Sequence, residues 1–90
     1  MLFHITYEFS PQERNQAQQR FRDTGAPPPD GVTMRGRWHS ASGCKGFMLA
    51  ESSDAVAISK WTQGWSDLLS FEITPVLTDE EVAEVIGQVS

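Results

Sequence analysis

Cysteine is almost absent. Cys44 is the only one, so no internal disulfide can form and a reducing cytoplasm is the expected compartment. It sits in SASGCKG, which reads as a loop, and Lys45 is the only base close to it. A catalytic thiol needs a stronger activating environment than that. Basic residues are scarce too, seven against twelve acids, for a net charge of −5. A nucleic-acid binder would need a basic face, so the balance argues against that class and no nucleic-acid partner is expected. No apolar run approaches the length of a membrane span, and no membrane partner is expected. The opening MLFHITYEF has neither a basic segment nor a small-residue cleavage site, so it is not expected to be a signal peptide. No Gly-rich phosphate loop, nucleophile elbow or Cys/His cluster is present. No cofactor and no metal are therefore expected.

What remains is a chain of 90 residues, read as one domain over residues 1–90. Apolar residues make up 39% and aromatics 10%, enough for one thin core. The charge is uneven. Residues 1–45 carry six bases against four acids, while residues 46–90 carry Lys60 against eight acids. Solvated acidic helices explain this simply; opposite charges that guide two copies together are the sharper reading.

LFHITYEF alternates, with Phe3, Ile5, Tyr7 and Phe9 on one face and Leu2, His4, Thr6 and Glu8 on the other, so it predicts a strand. Ser10, Pro11 and Glu13 then read as a capping box opening a surface helix to about Thr24, with Ala17 and Phe21 as its narrow apolar stripe. Gly25 suits the helix end, and GAPPPDG is a stiff connector. VTMRGRWH predicts a second strand, with Val32, Met34 and Trp38 opposed to Thr33, Arg35, Arg37 and His39. Gly36 could bulge it and switch the facing of residues 37–39. KGFMLAE predicts a third, antiparallel strand, with Phe47 and Leu49 opposed to Met48 and Ala50.

Ser53 or Asp54 caps a second helix whose face is Ile58, Trp61, Trp65 and Leu68. SFEITPV predicts a fourth strand. Pro75 lacks a ladder donor and puts that strand at a sheet edge. Thr78 and Glu81 form a capping box for a last helix, with Val82, Val85, Ile86 and Val89 as its apolar side.

The order β-α-β-β-α-β plus a C-terminal helix predicts an α+β, ferredoxin-like sandwich. Its four-stranded antiparallel sheet would run 4-1-3-2, with both crossover helices on one face. Phe3/Ile5/Tyr7/Phe9, Phe47/Leu49 and Phe71/Ile73 suit the covered face. Trp61 is expected in the core, and Trp65 as core, pocket wall or dimer contact. The uncovered face would mix His4, Thr6, Glu8, Arg35, Arg37, Glu72 and Thr74 with Leu2, Met48, Ala50 and Val76. So many charges do not suit a closed core, and so many apolar groups do not suit open water. A cavity between two copies of the sheet suits both.

Several stretches resemble the domain-of-unknown-function family 3303, a group of small bacterial proteins. They are MLF at the start, GVTMRGRWH followed by GFMLAESSD, and above all KWTQGWSDLLSFEITPV. The resemblance implies a ferredoxin-like fold of the dimeric α/β-barrel type, paired through open sheet faces. It also implies broader relatives that include cofactor-independent monooxygenases, small isomerases and ligand binders. It assigns no catalytic residue.

The ligand-binding candidates are His4, Thr6, Arg35, Arg37, Met48, Trp65 and Glu72. His4 and His39 could share one face if the register allows; with Glu8 they could transfer a proton or, less readily, hold a metal, or His4 could simply be a hydrogen-bonded strand residue. Arg35 and Arg37 could clamp a carboxylate or phenolate, or could pair with Glu8, Glu72 or a partner's acids. Three readings follow. The first is a homodimer holding a small organic molecule in a cavity on the open sheet face. The others are a cofactor-independent monooxygenase or isomerase, and a structural dimerisation module.

Overall fold

A computed structural model describes residues 1–89. The facing expected of Val89 lies outside the described side chains. The elements run β1 (Leu2–Glu8), α1 (Arg14–Thr24), β2 (Thr33–His39), β3 (Lys45–Glu51), α2 (Ala55–Gln63), β4 (Ser70–Val76) and α3 (Asp79–Val89). The four strands form one antiparallel sheet in the order β2-β3-β1-β4, which is the expected order read from the other edge. Pro75 lies on the edge strand β4, where a residue without an N–H is tolerated.

Local chemistry sets the element ends. Asp54 accepts from the backbone N–H groups of Val56 (2.9 Å) and Ala57 (3.3 Å) and so opens α2. Thr78 and Glu81 cap α3 reciprocally, at 3.2 and 3.0 Å. Gly25 ends α1 with a left-handed φ of 73° and returns its N–H to the Phe21 carbonyl at 2.7 Å. The start of α1 differs from expectation. The Ser10 hydroxyl donates to the Glu13 carboxylate instead of accepting from its N–H, and a turn over residues 11–13 precedes the helix. Also, α2 stops at Gln63, so Trp65 belongs to a run of turns rather than to the helix.

Register decides which side chains the helices cover. Ile5 is opposed by Met48 on one side and Ile73 on the other; Phe3 is opposed by Ala50. Opposed residues share a face. Met48 and Ala50 therefore lie in the core with Phe3, Ile5, Val32 and Ile58, and Met34, Ala57, Trp61 and Phe71 pack against it. This corrects the expected facing of β3. Phe47 and Leu49 lie on the open face beside Thr6 and His4, and Met48 and Ala50 do not.

The bulge at Gly36 is present. Met34 pairs with Ala50 and Gly36 with Leu49, so Arg35 is the extra residue. Beyond it the facing switches. Arg37 and His39 join the covered side, and Trp38 joins the open side against Phe47. The Trp38 ring lies so close over Gly36 that an added Cβ would collide with it. Among the described residues no helix is long and apolar enough to cross a membrane. The radius of gyration is 15.0 Å, against about 12 Å for a compact chain of this length. Residues 79–88 of α3 are all exposed, which accounts for part of that excess.

Candidate functional site

The covered face carries a polar group at the end of the sheet where β1 and β3 finish and start. Tyr7 ends the buried row of β1 and is opposed by Gly46 of β3. Gly46 is in turn opposed by His39 of β2. Because Gly46 has no side chain, the Tyr7 phenol lies across β3 and hydrogen-bonds His39 Nδ1 on the far strand. A Cβ at position 46 would run into the Tyr7 hydroxyl and its ring carbon Cζ. The Tyr7 ring stacks on Phe9, with centroids 6.4 Å apart.

Arg37 reaches the same region from β2. It donates to the Ala26 carbonyl (2.9 Å) and the Gly25 carbonyl (3.1 Å), just past the end of α1. A cation there offsets the partial negative charge of exposed helix carbonyls. The guanidinium lies over the Phe21 ring at 4.8 Å, and His39 meets the same ring edge-on at 5.4 Å. Phe21 of α1 is thus held by two side chains of β2.

These groups border a cavity of about 300 Å³ between the covered sheet face, α1 and the α2–β4 connection. Phe9, Phe21, Trp61, Trp65, Leu69 and Phe71 supply apolar wall, and Arg37 and Lys45 are its charged residues. Among the described residues no aspartate or glutamate lines it, in a chain of net charge −5. Arg20 stands over the outer side of Trp65 at 5.1 Å and grips Asp67 with two bonds, 2.9 and 2.6 Å. That pair ties α1 to the turn that carries Trp65.

Burial shapes the proton affinities. It raises the Tyr7 pKa, with the Arg37 charge pulling the other way. It lowers that of Arg37, with Tyr7 opposing. It lowers that of His39 below 6.5, and Arg37 lowers it further. At neutral pH the group is therefore a phenol, a neutral imidazole and a guanidinium cation.

The open face has its own hollow, of about 500 Å³. His4, Thr6, Glu8, Trp38, Phe47 and Glu72 line it, and Tyr7, His39 and Lys45 border both hollows. Trp38 stacks on Phe47 at 5.1 Å, and His4 meets Phe47 at 5.4 Å.

The candidate residues are thus split. His4, Thr6 and Glu72 lie together at the open-face hollow. Arg37, Met48 and Trp65 lie at the covered cavity, so Met48 and Arg37 are not on the open face where they were expected. Arg35 borders neither hollow and is bound to Glu51 through its Nε at 2.8 Å and its Nη2. The pairing of Arg35 and Arg37 as one clamp fails, because the bulge sends them to opposite faces. Sequence reasoning missed Tyr7 and Lys45 as site residues and Gly46 as the gap that lets Tyr7 through. Gly36 was the available signal, since its bulge is what turns His39 towards Tyr7. Among the described residues no three His, Cys, Asp or Glu side chains gather as a metal site would need.

The fold is of the ferredoxin-like α+β class, and it is shared with Rv0793 from Mycobacterium tuberculosis. That structure is 13% identical over 87% of this chain and 96% of its own, with a TM-score of 0.51. Two further solved structures have TM-scores of 0.48. One is a provisionally assigned antibiotic biosynthesis monooxygenase from Deinococcus radiodurans, 11% identical over 86% of this chain and 92% of its own. The other is an uncharacterised NIPSNAP domain protein from Burkholderia xenovorans, 10% identical over 88% of this chain and 97% of its own. The chain belongs to the family DUF3303, a domain of unknown function, whose model matches residues 1–90. No curated protein matches it.

Proposed function

We propose that this is a cytoplasmic homodimer that holds a small, flat organic anion, a carboxylate or phenolate, in the cavity between sheet and helices. One observation carries the reading. The cavity of an acidic chain is walled by aromatics and offers Arg37, with Lys45 at its edge opposite Glu8, and among the described residues no aspartate or glutamate is in its lining. A few fixed polar groups in an apolar hollow give orientation and specificity to a small ligand. Arg37 has N–H groups beyond the two it gives to Gly25 and Ala26, and these can receive an anion. The ligand site thereby moves from the open sheet face to the covered one.

The open face then serves pairing. Trp38 is 50% exposed and Phe47 40%, and they form one stacked aromatic patch on a sheet face that no helix covers. Patches of this kind on small proteins are usually interaction surfaces. The single cysteine supports a reducing compartment.

Titration with 1-naphthoate and with phenylpyruvate tests the ligand reading, because Trp61 and Trp65 line the cavity and report by fluorescence. Saturable quenching, weakened in Arg37→Ala, is expected. Unchanged fluorescence with both compounds would overturn the reading.

A further inference from the structure

We propose that Tyr7 and His39 form a proton relay leading out of this cavity, and that the site enolises a small aromatic 2-oxo acid bound there. The inference rests on the ligand reading above and adds a reaction to it.

The geometry of the pair points to transfer. Tyr7 is 8% exposed and borders the cavity. Its hydroxyl is bonded to His39, which is exposed and stands at the rim. Any buried phenol needs a hydrogen-bond partner. A backbone carbonyl would satisfy it at no conformational cost. Here the partner is the one type of side chain that exchanges protons with water near neutral pH, and reaching it takes both a bulge and a side-chain gap. Nearby, Arg37 gives the cavity a positive charge suited to an anion formed inside it.

A 2-oxo acid has an acidic C–H next to its ketone and a carboxylate for Arg37 to receive. An aromatic tail would occupy the wall of Trp61, Trp65 and Phe71. The C–H proton passes to Tyr7 Oη as the phenol's own proton passes to His39 Nδ1. The C–H electron pair becomes the new C=C bond, and the ketone π pair moves onto oxygen. The resulting enolate faces Arg37. The proton then returns from His39 through Tyr7 to the enolate oxygen, which gives the enol, or to carbon, which regenerates the acid. Nothing is oxidised or reduced, so no further reactant is needed. Burial keeps Tyr7 protonated, and burial with Arg37 makes His39 a weaker proton acceptor in the first step but a readier donor in the return step.

The test is hydrogen exchange of phenylpyruvate in D2O, read as loss of its C3 proton signal by NMR and corrected for exchange in buffer alone. Binding is read separately from tryptophan fluorescence. Exchange about 10²-fold above buffer is expected. It should fall to the buffer rate in Tyr7→Phe, which keeps the ring and loses only the hydroxyl. It should fall likewise in His39→Gln, a change at an exposed position that keeps hydrogen-bonding capacity but cannot carry the proton. Both variants should still bind. Binding without exchange overturns the relay and leaves the ligand reading standing. Variants that exchange as fast as the parent overturn it as well. Neither binding nor exchange overturns both proposals.

Discussion

Tyr7 and His39 are hydrogen-bonded across a strand to which neither belongs. Tyr7 is in β1, His39 is in β2, and β3 lies between them. Two departures from a regular sheet make this contact possible. The extra residue Arg35 turns His39 to the covered face, and Gly46 leaves the space the phenol crosses. Either alone would leave the phenol and the imidazole apart.

Gly46→Ala should therefore be far more damaging than a methyl group normally is on a strand. Its Cβ would land on the Tyr7 hydroxyl and close to the Trp38 carbonyl, which is backbone and cannot yield. A loss of about 1–3 kcal/mol in urea unfolding is expected, together with weaker ligand quenching. Gly87→Ala is the matched control. Nothing lies within 4 Å of the added group and the site is helical, so a gain of up to about 1 kcal/mol is expected. Equal effects of the two changes would contradict the crossing geometry.

The fold was more legible in the residues than the site was. Strand β1 alternates cleanly, Asp54 and the Thr78–Glu81 pair mark helix starts, and Pro75 marks an edge. With the β-α-β-β-α-β succession they lead to the sheet order. Strand β3 is different. KGFMLAE offers apolar groups to both faces, so its own pattern cannot choose between Phe47/Leu49 and Met48/Ala50. The choice is made by pairing, where Ile5 meets Met48 and Phe3 meets Ala50. The facing of Arg37, Trp38 and His39 depended on whether Gly36 bulged, which is a long-range outcome of the same pairing. Tyr7 was readable as core from its position, but its hydroxyl matters only once β2 is in place.

Arg37 links the end of α1 to the sheet, and its loss should be felt twice. Arg37→Ala removes the donors to Gly25 and Ala26 and the cation over Phe21. A drop of about 1.5–3 kcal/mol in stability is expected, the range for hydrogen bonds to a charged group. Anion affinity should fall about tenfold or more. Arg37→Lys keeps the charge but cannot reach both carbonyls from one planar head. It should recover part of the affinity and little of the stability. Calorimetric titration with 1-naphthoate beside thermal unfolding separates the two effects.

Acid should weaken the fold through His39. Its folded pKa is depressed by burial and by Arg37, so the unfolded chain binds a proton there more readily than the folded one. The stabilising contribution is present above the unfolded value of 6.5 and is lost as pH falls through the folded value. Glu51 and Asp67, whose pKa values are lowered by Arg35 and Arg20, act below 4.5 and 3.8 and so outside this window. The melting temperature should decline as pH falls below about 6.5, and His39→Gln should flatten that decline. An unchanged slope in the variant would show that His39 is not the group responsible.

The division of labour between the two sheet faces can be tested by charging one of them. Trp38→Glu places a carboxylate beside Phe47 on the open face, near Glu8 and Glu72. If that face pairs two copies, burying the new charge against its own symmetry mate is costly, and the dimer should dissociate by light scattering. Trp38 does not border the covered cavity, so ligand quenching through Trp61 and Trp65 should survive in the monomer. A variant that stays dimeric would move the interface elsewhere on the molecule. The exposed helix α3, with Val82 and Val85 outward and its first turn wholly acidic, is then the surface to charge next. A variant that loses dimer and ligand together would mean that the cavity takes its shape from the partner, and that Tyr7, His39 and Lys45, which border both hollows, transmit the change.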